Sequence, residues 1–227
     1  MIEAPEKNGQ SIGRTRRLRV NEIFHSLQGE ADAVGLPTVF VRLTGCPLRC
    51  RYCDTAYAFH AGEWFDVAAI VDRVREFGAA HVCVTGGEPL AQPNCLDLLE
   101  ALCDRGYRVS LETSGAIDIG AVDVRVVRVV DVKTPGSGEE QRNRTGNFAL
   151  LRRADQLKFV ICSRSDYEWS VAYLRAHGLA ERCQILFSPS FGQLPPAQLA
   201  DWILADRLPV RFQLQLHKIL WGDTPGK

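Results

Sequence analysis

An α/β fold on a mostly parallel sheet, either doubly wound or closed into a full or partial barrel, is predicted by three features of the 227-residue sequence. Short β-branched runs alternate with amphipathic helical patterns along almost the whole chain. Most of these runs lack the strict polar alternation of a one-sided sheet, so they want cover on both faces. Glycine-rich and polar segments fall just after the runs, at the carboxyl ends of parallel strands, where such folds gather ligands.

Strands are expected over Thr38–Thr44, His81–Thr85, Arg108–Glu112, Val124–Val132, Leu157–Ile161, Gln184–Phe187 and Arg211–Gln215. Between them, Asp66–Phe77 sets Val67, Ile70, Val71 and Val74 on one helical face, and Asn94–Arg105 does the same with Leu96, Leu99 and Leu102 before a stop at Gly106. Ser165–His177 begins with a capping box, Ser165 with Glu168, and ends at Gly178. Pro195 and Pro196 open a helix through Asp206, since a first-turn proline lacks only a donor that the helix does not use. The glycine-rich, charged stretch Thr134–Asn147 reads as a long surface loop.

At roughly 150 residues per domain, the length admits one large domain or two small ones with a sizeable core, and no composition break marks a second domain. Twenty-seven basic residues balance twenty-seven acidic ones, so no global field would hold a nucleic acid or an anionic membrane. A small-molecule partner is the expectation. Eight cysteines are too few for a disulfide scaffold in a chain this long, which favours a reducing compartment. The first twenty residues carry Lys7, Arg14, Arg16, Arg17 and Arg19 without an apolar signal core, and no apolar run approaches the ~20 residues of a membrane span. A cytoplasmic protein is expected.

Cys46, Cys50 and Cys53 form Cys-x3-Cys-x2-Cys just after the first expected strand. A structural zinc would want a fourth ligand at matching spacing, and no second Cys-x2-Cys pair exists. Three thiolates on a four-iron cube leave one iron open to a ligand that is not protein. The other cysteines, Cys83, Cys95, Cys103, Cys162 and Cys183, lie on strand or helix patterns and read as core filler.

With Tyr52 before the last cysteine and Thr85-Gly86-Gly87-Glu88-Pro89 after the second strand, the chain resembles the radical S-adenosylmethionine enzymes. The resemblance implies a 4Fe-4S cluster on Cys46, Cys50 and Cys53 whose open iron chelates S-adenosylmethionine. It also implies that the backbone and carboxylate of Gly86, Gly87 and Glu88 meet the methionyl amino group. Glycines permit that approach, and a carboxylate pairs with an ammonium.

Glu22–Glu30, Arg42, Cys53-Asp54-Thr55, Glu112–Gly115 and Gln215–Lys218 further resemble the 7-carboxy-7-deazaguanine synthase family, over about Val20 to Trp221. This implies a single radical S-adenosylmethionine domain over 20–227, a partial (β/α) barrel, after a basic mobile lead-in over 1–19. The implied reaction is a lyase step from 6-carboxy-5,6,7,8-tetrahydropterin to 7-carboxy-7-deazaguanine with loss of ammonia, towards queuosine and related 7-deazapurines of tRNA.

The resemblance also distributes roles. Tyr52, Cys53, Asp54, Asp131, Val132, Lys133, Ser188, Pro189, Ser190 and Phe191 would line the S-adenosylmethionine site. Leu27, Gln28, Gly29, Glu30, Thr85, Glu112 and His217 would meet the pterin, and Arg42 its carboxylate, for which a guanidinium fork is suited. Thr55 would hold Mg2+, although that ion ordinarily prefers carboxylates and water. Implied partners are the pterin, a reductant such as flavodoxin or ferredoxin, and a second copy in a homodimer. Ser188–Phe191 departs from the version of some relatives, and Trp221–Lys227 has no assigned role. A glycyl-radical-enzyme activase and a non-catalytic iron–sulfur protein are the rival readings. The first would favour an open protein-docking mouth, and the second would need a fourth protein ligand.

Overall fold

Valine-rich segments make the central strands. In the computed structural model, which describes residues 16–222, 224, 226 and 227, Val39, Val41, Val82 and Val84 are wholly buried on two adjacent parallel strands. The nine strands among the described residues are β1 (Arg17–Leu27), β2 (Pro37–Leu43), β3 (Glu63–Asp66), β4 (His81–Gly86), β5 (Arg108–Thr113), β6 (Val127–Val132), β7 (Gln156–Ile161), β8 (Gln184–Pro189) and β9 (Arg211–Phe212). They form one sheet in the order β3-β1-β2-β4-β5-β6-β7-β8-β9. From β2 through β4 to β9 every pairing is parallel, whereas β1 runs antiparallel to both β2 and β3. The result is the mostly parallel partial α/β barrel, with β3 and β9 as its edges.

Helices α1 (Val67–Glu76), α2 (Cys95–Asp104), α3 (Arg164–Ala176) and α4 (Pro196–Ala205) cover the outside, and the short α5 (Leu216–Trp221) follows β9. The apolar stripe of α2, Leu98, Leu99 and Leu102, is fully buried, each side chain contributing roughly 1.5–3 kcal/mol by leaving water. No helix among the described residues is long and apolar enough to cross a membrane.

Several expectations need correction. Strand β1 begins at Arg17, so Arg17–Arg19 are sheet and not lead-in; residues 1–15 lie outside the described residues. Neither β1 nor β3 stands out in the sequence, because β1 interleaves Arg19, Glu22 and His25 with its apolar residues and β3 is four residues long. Helix α3 is capped by Ser163, whose hydroxyl accepts the Asp166 amide at 3.2 Å; Ser165 lies inside the helix, so the expected box does not form. Strand β6 starts at Val127, and β9 ends at Phe212, which puts His217 on α5 and not at a strand end. The concave face is also less apolar than expected. Glu112, Asp131 and Lys158 reach the cavity from three adjacent strands, so only the outer face carries the helix-packed core.

Candidate active site

The carboxyl ends of the parallel strands open into a cavity of about 430 Å3. Register brings its walls together: Arg42 on β2 lies beside Thr85 on β4, and Asp131 on β6 lies beside Lys158 on β7.

The cysteine loop follows β2 and is held by its neighbours. The Arg51 amide donates to Ser137 O at 3.0 Å, the Arg49 amide donates to Glu139 Oε1 at 2.6 Å, and the Arg49 guanidinium lies 4.3 Å over the Phe59 ring. Cys46, Cys50 and Cys53 all line the cavity and are part-buried free thiols. Burial pushes the Cys50 thiol up to about 11, with nearby Lys133 opposing it, and raises Cys46 in the same way. Among the described residues no group of three or more His, Cys, Asp or Glu side chains is gathered for a single metal ion. A four-iron cube takes each thiolate on a different iron, so three cysteines around one mouth, without a fourth, fit its donor chemistry.

Next to this loop, Gly86 and Gly87 form a shelf. The Gly87 amide donates to Leu43 O at 3.2 Å and the Glu88 amide to Gly45 O at 2.8 Å. A side chain at Gly87 would collide with Gly45 O and the Cys46 Cβ, so only glycine allows the two segments to meet. Glu88 itself departs from expectation. It is 0% exposed, lies outside the cavity lining, and accepts from the Leu90 amide at 3.0 Å, the Thr113 hydroxyl at 2.8 Å and the Ser114 amide at 2.7 Å. Its carboxylate is consumed in fastening β5 to the turn at Pro89–Ala91, which leaves the cavity only the backbone of the shelf.

Below and beside the shelf the lining is polar. Glu112 accepts from Gln28 Nε2 at 3.2 Å through one oxygen and from Thr85 Oγ1 at 3.0 Å through the other. Arg42 lies among Phe24 and Tyr57 and donates through Nε to Glu22 Oε1 at 2.6 Å, a partner the sequence did not suggest. Gly29 makes room for His217, whose ring nitrogen a Cβ would strike, and the Leu216 amide donates to Gly29 O at 3.0 Å. Thr55 donates to Asp54 Oδ1 at 2.7 Å. Burial would raise the Asp54 carboxyl, but that bond and the nearby lysines outweigh it and hold the group below its ordinary value.

Most expected site residues thus share one cavity, including Leu27, Glu30, Tyr52, Asp131, Lys133, Ser190 and Phe191. Val132, Ser188 and Pro189 do not line it; Val132, between the lining residues Asp131 and Lys133, turns into the core, and Ser188 and Pro189 end β8 just before Ser190 and Phe191 reach the cavity. Sequence reasoning missed Lys158 and Gln193 on the lining; Gln215 and Lys218, quoted within a matching motif but given no role, and Lys227, left unassigned, also lie there. The strand period was the available signal for Lys158, a single charge inside the apolar run Leu157–Ile161.

The model of the radical S-adenosylmethionine superfamily matches residues 40–125. The 7-carboxy-7-deazaguanine synthase of Chlorobaculum tepidum is 48% identical over 92% of this chain and 97% of its own length. That of Koribacter versatilis is 40% identical over 92% of this chain and 100% of its own, and that of Thermoplasma acidophilum 36% identical over 91% and 99%. Among solved structures, QueE from Escherichia coli superposes with a TM-score of 0.73 at 22% identity, over 88% of this chain and 95% of that one, a likeness of fold.

Proposed function

The chain belongs to the 7-carboxy-7-deazaguanine synthase family, radical S-adenosylmethionine lyases of 7-deazapurine biosynthesis, and from that premise we propose how its residues divide the reaction. Cys46, Cys50 and Cys53 bind three irons of a 4Fe-4S cluster and leave the fourth for S-adenosylmethionine. When bound, this pair supplies the one-electron cleavage that starts the reaction. The Gly86–Gly87 backbone, Asp131, Lys133, Ser190 and Phe191 bind and orient the cofactor. The polar residues on or just after β1, β2 and β5 bind the carboxypterin: Arg42 pairs with its carboxylate, while Glu30, Glu112 and Gln28 accept from and donate to its aminopyrimidinone edge.

Thr55 contributes a ligand to Mg2+, which acts as a template on substrate oxygens. The protein works in the cytoplasm as a homodimer, with an electron carrier such as flavodoxin or ferredoxin as reductant. The observation that supports this division most is the single cavity shared by three thiols and the Gln28–Glu112–Thr85 hydrogen-bonded set. The rival readings are not favoured, since relatives matched over nearly their full length are synthases.

The test is anaerobic incubation of reconstituted protein with S-adenosylmethionine, reductant, Mg2+ and the carboxypterin. The expected result is a deazapurine chromophore with no net consumption of S-adenosylmethionine. Cleavage of S-adenosylmethionine with the pterin left intact would overturn the substrate assignment.

A further inference from the structure

Lys158 belongs to none of the motifs, yet it stands at the centre of the cavity wall with a side chain only 13% exposed. Its ammonium lies 2.5 Å from Glu30 Oε2 and 3.4 Å from Asp131 Oδ1. The other Glu30 oxygen accepts from Gln215 Nε2 at 2.9 Å, and the other Asp131 oxygen accepts from Lys133 Nζ at 2.7 Å. Glu30, Lys158, Asp131 and Lys133 therefore form a string of alternating charge with no net charge. It runs from the wall assigned to the pterin to the lysine beside the cysteine loop.

Burial alone would drive the Lys158 ammonium to lose its proton, but Asp131 and Glu30 outweigh it and keep the group charged. Stability is a poor reason for such a string, because well-packed apolar side chains at these positions would hold the strands as well or better. Removing the lysine alone would leave Glu30 with Gln215 and Asp131 with Lys133, two buried carboxylates no longer tied to each other. Asp131 Oδ1 is buried and, beyond its 3.4 Å ion pair with Lys158, has no hydrogen-bond partner among the described residues, which leaves it an acceptor for a ligand.

We propose that Lys158 is a positioning residue that joins the two halves of the site, orienting Glu30 and Asp131 together so that binding of the pterin and of S-adenosylmethionine strengthen one another. This rests on the assignment of Glu30 to substrate and Asp131 to cofactor made above. By reciprocity, whatever S-adenosylmethionine does to pterin affinity the pterin must do in return.

Equilibrium binding to reconstituted protein without reductant reads the coupling with no turnover. In the parent, carboxypterin should bind several-fold tighter with S-adenosylmethionine present. In Lys158→Met, pterin affinity should fall by about tenfold or more, and the ratio of affinities with and without S-adenosylmethionine should approach one at unchanged iron content, while the unfolding midpoint falls because two buried carboxylates lose a partner. Lys158→Arg should recover much of the ratio. Glu30→Gln, which leaves Lys158 in place, should weaken S-adenosylmethionine binding by about fivefold from across the cavity, and it carries the test if Lys158→Met does not fold. A parent ratio of one, an unchanged ratio in Lys158→Met, or an unchanged S-adenosylmethionine affinity in Glu30→Gln overturns the inference alone. Failure of the parent to bind the carboxypterin overturns the substrate assignment and the inference with it.

Discussion

Glu88 and Ser114 are joined twice: Glu88 Oε2 accepts from the Ser114 backbone amide at 2.7 Å and from the Ser114 hydroxyl. With Thr113 and Leu90 also donating to it, this carboxylate belongs to the wall of the site and not to its interior. Glu88→Ala should leave several buried donors without a partner and cost about 2–4 kcal/mol in urea unfolding of the cluster-free protein. An unchanged midpoint with S-adenosylmethionine binding lost would put the carboxylate back on the cofactor.

Arg42 spends only Nε on Glu22 among the described residues, so its terminal nitrogens remain for a ligand. Arg42→Ala is expected to lose on the order of 10²-fold in kcat/KM while keeping iron content and uncoupled cleavage of S-adenosylmethionine. Glu22→Gln should shift the same quantity in the same direction by less, because it loosens the guanidinium without removing it. Normal turnover by Arg42→Ala would hand the substrate carboxylate to another cation.

A neutral hydroxyl adds no charge to a Mg2+ site, so most of the affinity must come from substrate oxygens, and ion and substrate should bind together. Thr55→Ala should then need more Mg2+ for half-maximal rate at unchanged iron content, while Thr55→Ser stays near the parent. Rate against Mg2+ concentration decides it; an identical profile for Thr55→Ala leaves this residue as a partner of Asp54 only.

Far from the cavity, Asp155 is fully buried and accepts from the Arg128 amide at 3.0 Å, Arg128 Nε at 3.1 Å and the Arg152 amide at 2.8 Å. Burial would raise its carboxyl, but the arginines outweigh that and hold it below its ordinary value. A depressed folded-state pKa means that the contribution is complete above about pH 4 and fades as pH falls through the folded value. Asp155→Asn should therefore cost about 3–5 kcal/mol at neutral pH, with parent and variant converging in acid. Urea midpoints across pH 2–7 measure it; a constant gap would refute the ionic origin.

The parallel strands and four outer helices were legible because their apolar residues recur with the period of the element, as in Leu98, Leu99 and Leu102 of α2. Strand β1 was not, since Arg19, Glu22 and His25 interrupt its apolar residues and Phe24 and Leu27 line the cavity instead of the core. The cysteine loop was legible from its spacing, and the glycine shelf from its resemblance, together with that loop, to a known family. What spacing could not convey was side-chain direction. Glu88 turns away from the cavity within a motif that suggested otherwise, and Lys158 turns into it from a strand that read as ordinary core.

The two hydrogen bonds from Gly87 and Glu88 to Leu43 and Gly45 have a consequence for the order of assembly. The acceptors are the last residue of β2 and a glycine immediately before Cys46, so the backbone that carries the first thiol also supports the shelf. Slack in one segment is slack in the other. A chain stripped of iron should hence present a softened seat for the nucleoside's methionyl end, and maturation should run in one direction, metal before nucleoside.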